Sequence, residues 1–356
     1  MRNSTRAVIG LAVVGFAALV PAADAHHSGA LFDFNTRVTV DGTIVKVDWQ
    51  NPHVYLTVES RGPDGKALQQ DIQAASLSMI KALGLTREMV APGTHVKIDA
   101  AAQKSGSDHL LWGGSITFDD GSVYLLETIG PNGHVPAVPA ATGIIGRWVP
   151  PPSSIQVFLQ ASQTLPLTAA AADGGGPPGD PRVLPASFCD PAAAAKAVSG
   201  ALAMLLGALP VLHVLESDGK TLAMRIDADG HLVERVIRLD QTAHPDGTAP
   251  SPLGHSVGRW EAGTLVIDTA AFAPSPISSR ALHAVERLTL AEDKRHLKYE
   301  LSMDDSELFS KPVELSTVWD YRPDVEPSGQ ACDPENARRY LKDIDLTNPP
   351  SPQTPR

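Results

Sequence analysis

Apolar residues recur along much of this chain with a period of two, the mark of half-buried strands. Val54, Leu56 and Val58 share one face, with His53, Tyr55 and Thr57 on the other. Near the far end, Val313, Leu315, Thr317, Trp319 and Tyr321 share a face. The region 26–127 reads as a small OB-like β domain. It has a strand over 37–48 broken at Gly42, a turn at Gly62-Pro63-Asp64-Gly65, and a short helix over 76–83 with Ser76 as its N-cap. Strands over 94–99, 114–118 and 122–127 complete it. From Leu209 onward the pattern is a run of hairpins, with turns at Ser217-Asp218-Gly219, Ala228-Asp229-Gly230 and Glu261-Ala262-Gly263. Seven or eight antiparallel strands hide their edges best by closing. The expected fold is therefore all-β: an OB-like barrel, then a larger lipocalin-like antiparallel meander or barrel over 196–345. A Pro/Gly/Ala-rich linker over 128–195, part of it docking on the second domain through Ile144, Ile145 and Trp148, separates the two. A disordered tail over 346–356 follows.

The first 25 residues carry a different pattern. Arg2 and Arg6 precede an apolar run over 7–20, Pro21 breaks it, and Ala23-Asp24-Ala25 offers a small-x-small cleavage site. The run is short for a membrane span, so a cleaved signal peptide and a periplasmic or secreted protein are expected. In an oxidising compartment Cys189 and Cys332, each in a polar, Pro-flanked loop, are expected to form a disulfide. The composition, 43% hydrophobic and 19% charged, is that of a globular chain. A net charge of −11 argues against nucleic acid and anionic membranes as partners.

Two segments carry family likenesses. His26-His27-Ser28, Phe32-Asp33, Gly42-Thr43, Trp49 and Asn51-Pro52-His53, with Pro92-Gly93 and Asp120-Gly121, resemble an uncharacterised family of small exported bacterial proteins with an OB-like barrel. Gly254-His255-Ser256-Val257-Gly258-Arg259-Trp260-Glu261, followed by Thr264–Thr269, Leu282-His283, Glu286-Arg287 and Lys311-Pro312, resembles an uncharacterised bacterial family, as do Gly146-Arg147-Trp148 and Leu165–Thr168 upstream. Neither likeness implies a reaction. Ala262 departs from the second pattern, where an acidic turn residue is usual.

Two constellations can carry chemistry. Cleavage after Ala25 would make His26 the first residue, and its α-amine and ring can chelate a metal. With a further imidazole from His27 or, better, His53, this gives a nitrogen-rich site suited to copper. His95 and His109 are further candidates. The second set is His244, His255, Arg259, Asp268, His283 and Glu286. Of these, His255, Arg259, His283 and Glu286 could supply acid/base groups and an anion clamp to a lyase or isomerase of a small hydrophobic substrate. The same charges also read as cross-strand pairs and an Arg-Trp-Glu hairpin device. The acidic residues Glu300, Asp304, Asp305 and Glu307 lack the Gly of a calcium loop. Ser256 lies at the wrong spacing for a nucleophile elbow. The expectation is an exported binding protein that holds copper at its mature N-terminus and a small apolar ligand in its barrel. The enzyme is the alternative, and an envelope assembly protein with two β interaction surfaces is a third reading.

Overall fold

Strand alternation in the N-terminal third closes a barrel. The computed structural model describes residues 32–62, 64–127, 138–169, 189, 199–228, 231–275, 278–337 and 339. The expected signal segment over 1–25, His26, His27 and the expected tail over 346–356 lie outside them. Strands β1 (Phe32–Asp48), β2 (Tyr55–Arg61), β3 (Ala67–Gln73), β4 (His95–Gln103), β5 (Leu110–Phe118) and β6 (Val123–Leu125) form one sheet in the order β3-β2-β1-β4-β5-β6. A parallel pairing of β3 with β5, Asp71 against Leu110, joins its ends. Five strands are thereby closed in OB order, with helix α1 (Leu77–Ala82) between β3 and β4. Val54, Leu56 and Val58 are fully buried with Val40, Ile44, Ile72 and Ile98. Gly42 does not break β1, which runs through it. A Cβ there would lie 2.3 Å from the Glu59 carbonyl, so the glycine lets β1 and β2 approach.

The second barrel is larger. It contains β7 (Gly146–Val149), β8 (His213–Ser217), β9 (Thr221–Ala228), β10 (His231–Arg238), β11 (His255–Glu261), β12 (Thr264–Ala270), β13 (His283–Leu290), β14 (His296–Asp304) and β15 (Val313–Tyr321). They close in the order β10-β11-β12-β13-β14-β15-β7-β8-β9. One strand more than the meander predicts comes from the Pro-rich segment: β7 pairs with both β15 and β8. Helix α2 (Ser154–Gln163) follows it. Trp148 of β7 is fully buried, and its indole N–H donates to Ile144 O at 2.8 Å.

Parity constrains how this ring closes. Strands that alternate in direction cannot close an odd-numbered ring without one parallel neighbour pair. In the nine-stranded barrel that pair is β10–β11, and it is only two residues deep, Ile237 against Ser256 and Arg238 against Val257. Parallel neighbours need a crossover of about a dozen residues or more. Residues 239–254 supply it, and they run over the outer wall.

The barrel interior is filled. Leu222, Met224, Ile237, Leu265, Ile267, Leu288, Leu297, Tyr299, Leu301, Leu315 and Trp319 point inward. Helix α3 (Ala201–Leu205) and the 3₁₀ turn Leu206–Ala208 pack against them. Trp319 Nε1 donates to Gly207 O at 2.7 Å, and Tyr299 Oη lies 3.2 Å from Met204 O. His213, Trp319 and Tyr299 stack in sequence, with ring centroids 4.4 and 4.8 Å apart. Dispersion contacts of this density leave little room for the apolar ligand expected inside.

Candidate functional site on the outer barrel wall

Strand register assembles the site. On β11, β12 and β13 the outward positions include His255, Val257, Asp268, His283 and Val285. Asp268 lies opposite Val257 on one side and Val285 on the other, and His255 lies opposite Ala270. His255 and His283 therefore flank Asp268 diagonally, within side-chain reach. The small Ala270 leaves the space between the rings open. Gly254, at φ 69°, turns the chain into β11, and a Cβ there would meet Ala270 O at 2.8 Å. The crossover then delivers a third imidazole, His244.

The four side chains are directly bonded. Asp268 Oδ1 accepts from His244 Nε2 at 2.9 Å and from His283 Nε2 at 3.0 Å, and His244 Nδ1 lies 2.9 Å from His255 Nδ1. Burial works against ionisation of Asp268, but the bonds from His244 and His283 outweigh it and hold the carboxyl below its ordinary value. Burial, and then the charges of His244 and Arg238, hold His255 below the ordinary imidazole value. Proton roles follow from the donor inventory. A carboxylate can only accept, so His244 donates through Nε2. In neutral His244 the Nδ1 is then an acceptor, His255 donates its Nδ1–H to it, and Nε2 of His255 carries a lone pair. The result is an Asp268–His244–His255 relay ending in a basic nitrogen. No group of three or more His, Cys, Asp or Glu among the described residues is already arranged to hold a metal ion.

A groove of about 490 Å³ opens beside the relay where the short parallel pairing ends. Leu239, Gln241, His244, Arg259, Trp260 and Asp268 are among its walls. Trp260 is 55% exposed, unusual for so large an apolar side chain. Arg259 Nε donates to Glu261 Oε1 at 2.7 Å, and Glu261 Oε2 also takes Arg287 Nη1 at 3.3 Å.

The acid/base set read from the sequence is thus divided. His255 and His283 come together through Asp268 and His244. Arg259 stands on the same outer wall, at the groove, held in a surface charge ladder. Glu286 faces the opposite way, into the barrel, where it bonds Arg235 Nη1 at 3.0 Å and Nη2 at 2.7 Å and accepts from Tyr299 Oη at 2.9 Å. Burial alone would push the Arg235 guanidinium down, yet the adjoining Glu286 carboxylate leaves it raised. Tyr299 is pushed well above the ordinary phenol value, by burial first and then by the same charge. Strand parity gives the reason: Glu286 and His283 are an odd number of positions apart on β13. The sequence offered no sign of Arg235 as partner, because its strand pairs along its length with β9 and meets the β11–β13 side of the ring only across the two-residue parallel seam.

Of His26, His27 and His53, only His53 is among the described residues. It is half-buried, with Nδ1 3.3 Å from Ala74 O and its backbone held by Asn336. His95 bridges Asp119 and Asp41 on the surface at 2.7 and 3.1 Å. Asp305, from the acidic run, is a buried acceptor for Ser279 N and Oγ, both at 2.6 Å. Cys189 and Cys332 form the expected disulfide. No helix among the described residues is long and apolar enough to cross a membrane.

The geometry defines a double β-barrel protein with an imidazole–carboxylate cluster on the wall of its second barrel. A family of unknown function (DUF6152) matches residues 14–112, so the OB barrel up to the start of β5 is similar to that family. This agrees with the N-terminal likeness to an uncharacterised family. No curated protein matches the chain.

Proposed function

We propose that this is an exported binding protein whose ligand site is the groove on the outer wall of the second barrel. Its ligand is a small planar organic anion. The observation that carries the reading is the meeting, on one groove, of an exposed flat ring, a guanidinium and a fixed imidazole–carboxylate pair. Arg259 and Trp260 leave opposite faces of β11, and the groove takes in both because among the described residues the strand's edge is unpaired beyond the two-residue seam: Trp260 offers the stacking face and Arg259 the cation. His244 and Asp268 offer hydrogen bonds at the other end. A few placed polar groups on apolar walls are what small-molecule sites share. The signal pattern of residues 1–25 and the Cys189–Cys332 disulfide support export to an oxidising compartment.

The probe is 4-hydroxybenzoate, titrated against the full chain and followed by tryptophan fluorescence. About ten heavy atoms at about 0.4–0.5 kcal/mol each, between the drug-sized and the best small-ligand efficiencies, give a dissociation constant on the order of 0.1–1 mM. Trp260→Ala and Arg259→Ala, both at exposed positions, should each weaken binding about tenfold. Absence of a saturable change up to about 10 mM overturns the reading, as does binding indifferent to both substitutions.

A further inference from the structure

Residues 322–337 leave the second barrel after β15 and cross to the first, where Arg339 is also placed, and the groove site uses none of them. Arg322 Nη1 donates to Ala82 O at 2.5 Å, and Val325 is buried with Ala82, Val149 and Leu212. From Ser328 onward the Asn51-Pro52-His53 turn holds the segment through two of its backbone groups, Gln330 O and Asp333 N–H, and through the side chains of Ser328 and Asn336. Asn51 is fully buried. Its Oδ1 accepts the Leu77 N–H at 3.1 Å, which fixes the amide. Its Nδ2 then donates to Gln330 O at 2.9 Å and to Ser328 Oγ at 3.4 Å. Asn51 O accepts the Asp333 N–H at 2.9 Å, and Asn51 bridges Cys332 in parallel β fashion. The carboxamide of Asn336, at the short helix α4 (Pro334–Ala337), pairs reciprocally with His53: Oδ1 accepts His53 N–H at 3.3 Å and Nδ2 donates to His53 O at 3.0 Å. The Arg339 guanidinium lies 4.3 Å from the centre of the Tyr55 ring, bonded to Asp48 at 3.2 Å and to Asp71.

This arrangement divides recognition as peptide sites do. Main-chain bonds accept any extended segment, and separate pockets read one amide and one cation. The family match to residues 14–112 contains every receptor residue and ends well before the segment they hold. We propose that the first barrel carries a peptide-recognition site, built from Asp48, Asn51, His53, Tyr55 and Asp71. It reads an asparagine followed three positions later by an arginine, and residues 328–339 are its tethered occupant. The tether sets a local concentration on the order of millimolar, reinforced by the Cys189–Cys332 bond, so a free peptide competes only when the tether is weakened.

The test uses a fluorescein-labelled peptide of residues 326–339 with Cys332→Ser, and the full chain carrying Asn336→Ala and Arg339→Ala. Anisotropy should show saturable binding to that chain, with binding at least about tenfold weaker to the intact chain. Adding Asp48→Asn and Asp71→Asn should weaken it by a similar factor, since both charged partners of the arginine are lost. No saturable binding to a vacated chain that keeps the native tryptophan emission overturns the proposal. So does binding indifferent to the two aspartate substitutions. Should the vacated chain fail to fold, the decision moves to the Cys189→Ser/Cys332→Ser chain. Excess unlabelled peptide must then speed hydrogen exchange at the Asp333 amide, and unchanged exchange overturns the proposal.

Discussion

Glu286→Gln removes one charge and almost no volume, and it isolates the role of the buried pair inside the second barrel. The side chains of Glu286 and Arg235 are 1% and 3% exposed. With a neutral amide at 286, the guanidinium keeps only neutral acceptors: the amide oxygen at 286, Ser256 Oγ at 3.2 Å, Thr269 Oγ1 at 3.1 Å and the sulfur of Met224. A buried cation stripped of its counter-ion costs about 3–5 kcal/mol. Tyr299 exchanges a charged acceptor for a neutral one, about 1 kcal/mol more. A loss of about 4–6 kcal/mol is a large share of a typical stability of about 5–15 kcal/mol. With a urea slope of about 2 kcal/mol per molar, the midpoint of barrel unfolding should fall by about 2–3 M, followed by emission from Trp319 beside Tyr299. The double change Arg235→Met/Glu286→Leu should recover most of the loss, because an apolar pair of similar size carries no desolvation penalty. A midpoint shift under about 0.5 M for Glu286→Gln refutes the argument, for it would mean that water or another anion already reaches Arg235. Unchanged 4-hydroxybenzoate binding in a folded variant would further separate Glu286 from the outer site.

Three further outcomes are expected. Ala262 and Gly263 take φ 46° and 88°, the pair of positive values a type I′ hairpin needs, so Ala262→Gly should raise stability by about 0.5–1 kcal/mol in thermal melts, and a loss would contradict the strain assigned to Ala262. Gly207→Ala would place a methyl 2.3–2.5 Å from atoms of the Tyr299 ring and should destabilise by about 1–3 kcal/mol, with calorimetry as the check. His213 is fully buried, and desolvation lowers its pKa to about 4 despite a bond to Leu209 O. Its contribution is whole above pH 6.5, where the unfolded imidazole is also neutral. It is lost as pH falls from 6.5 towards 4, because only the unfolded chain then takes up the proton; the loss amounts to about 3 kcal/mol. Urea melts across that window should show it, and His213→Phe should flatten this component.

Local pattern carried the strands, because a period of two is a property of neighbouring residues. Alternation from Val313 to Tyr321 placed Leu315 and Trp319 in the core. The segment from Ser76 to Gly84 gave α1 within a residue at either end. The disulfide was legible because the only two cysteines of the chain each sit in a polar, Pro-flanked loop, a setting unlike that of a core thiol. The Gly254–Glu261 segment and the histidines at 244, 255 and 283 marked the region where the imidazole–carboxylate cluster lies. The sequence by itself therefore determined the class, the barrels, the disulfide and the candidate histidines. Tertiary structure alone decided which candidates meet. Recruitment of β7 made the ring odd, the odd ring required a parallel seam, and the seam's crossover brought His244 onto Asp268. The same closure turned Glu286 inward to Arg235, and the packing of residues 328–339 on the first barrel gave the Asn51-Pro52-His53 turn its partner. These are contacts between distant segments, fixed by ring closure and strand parity, and no local spacing encodes them.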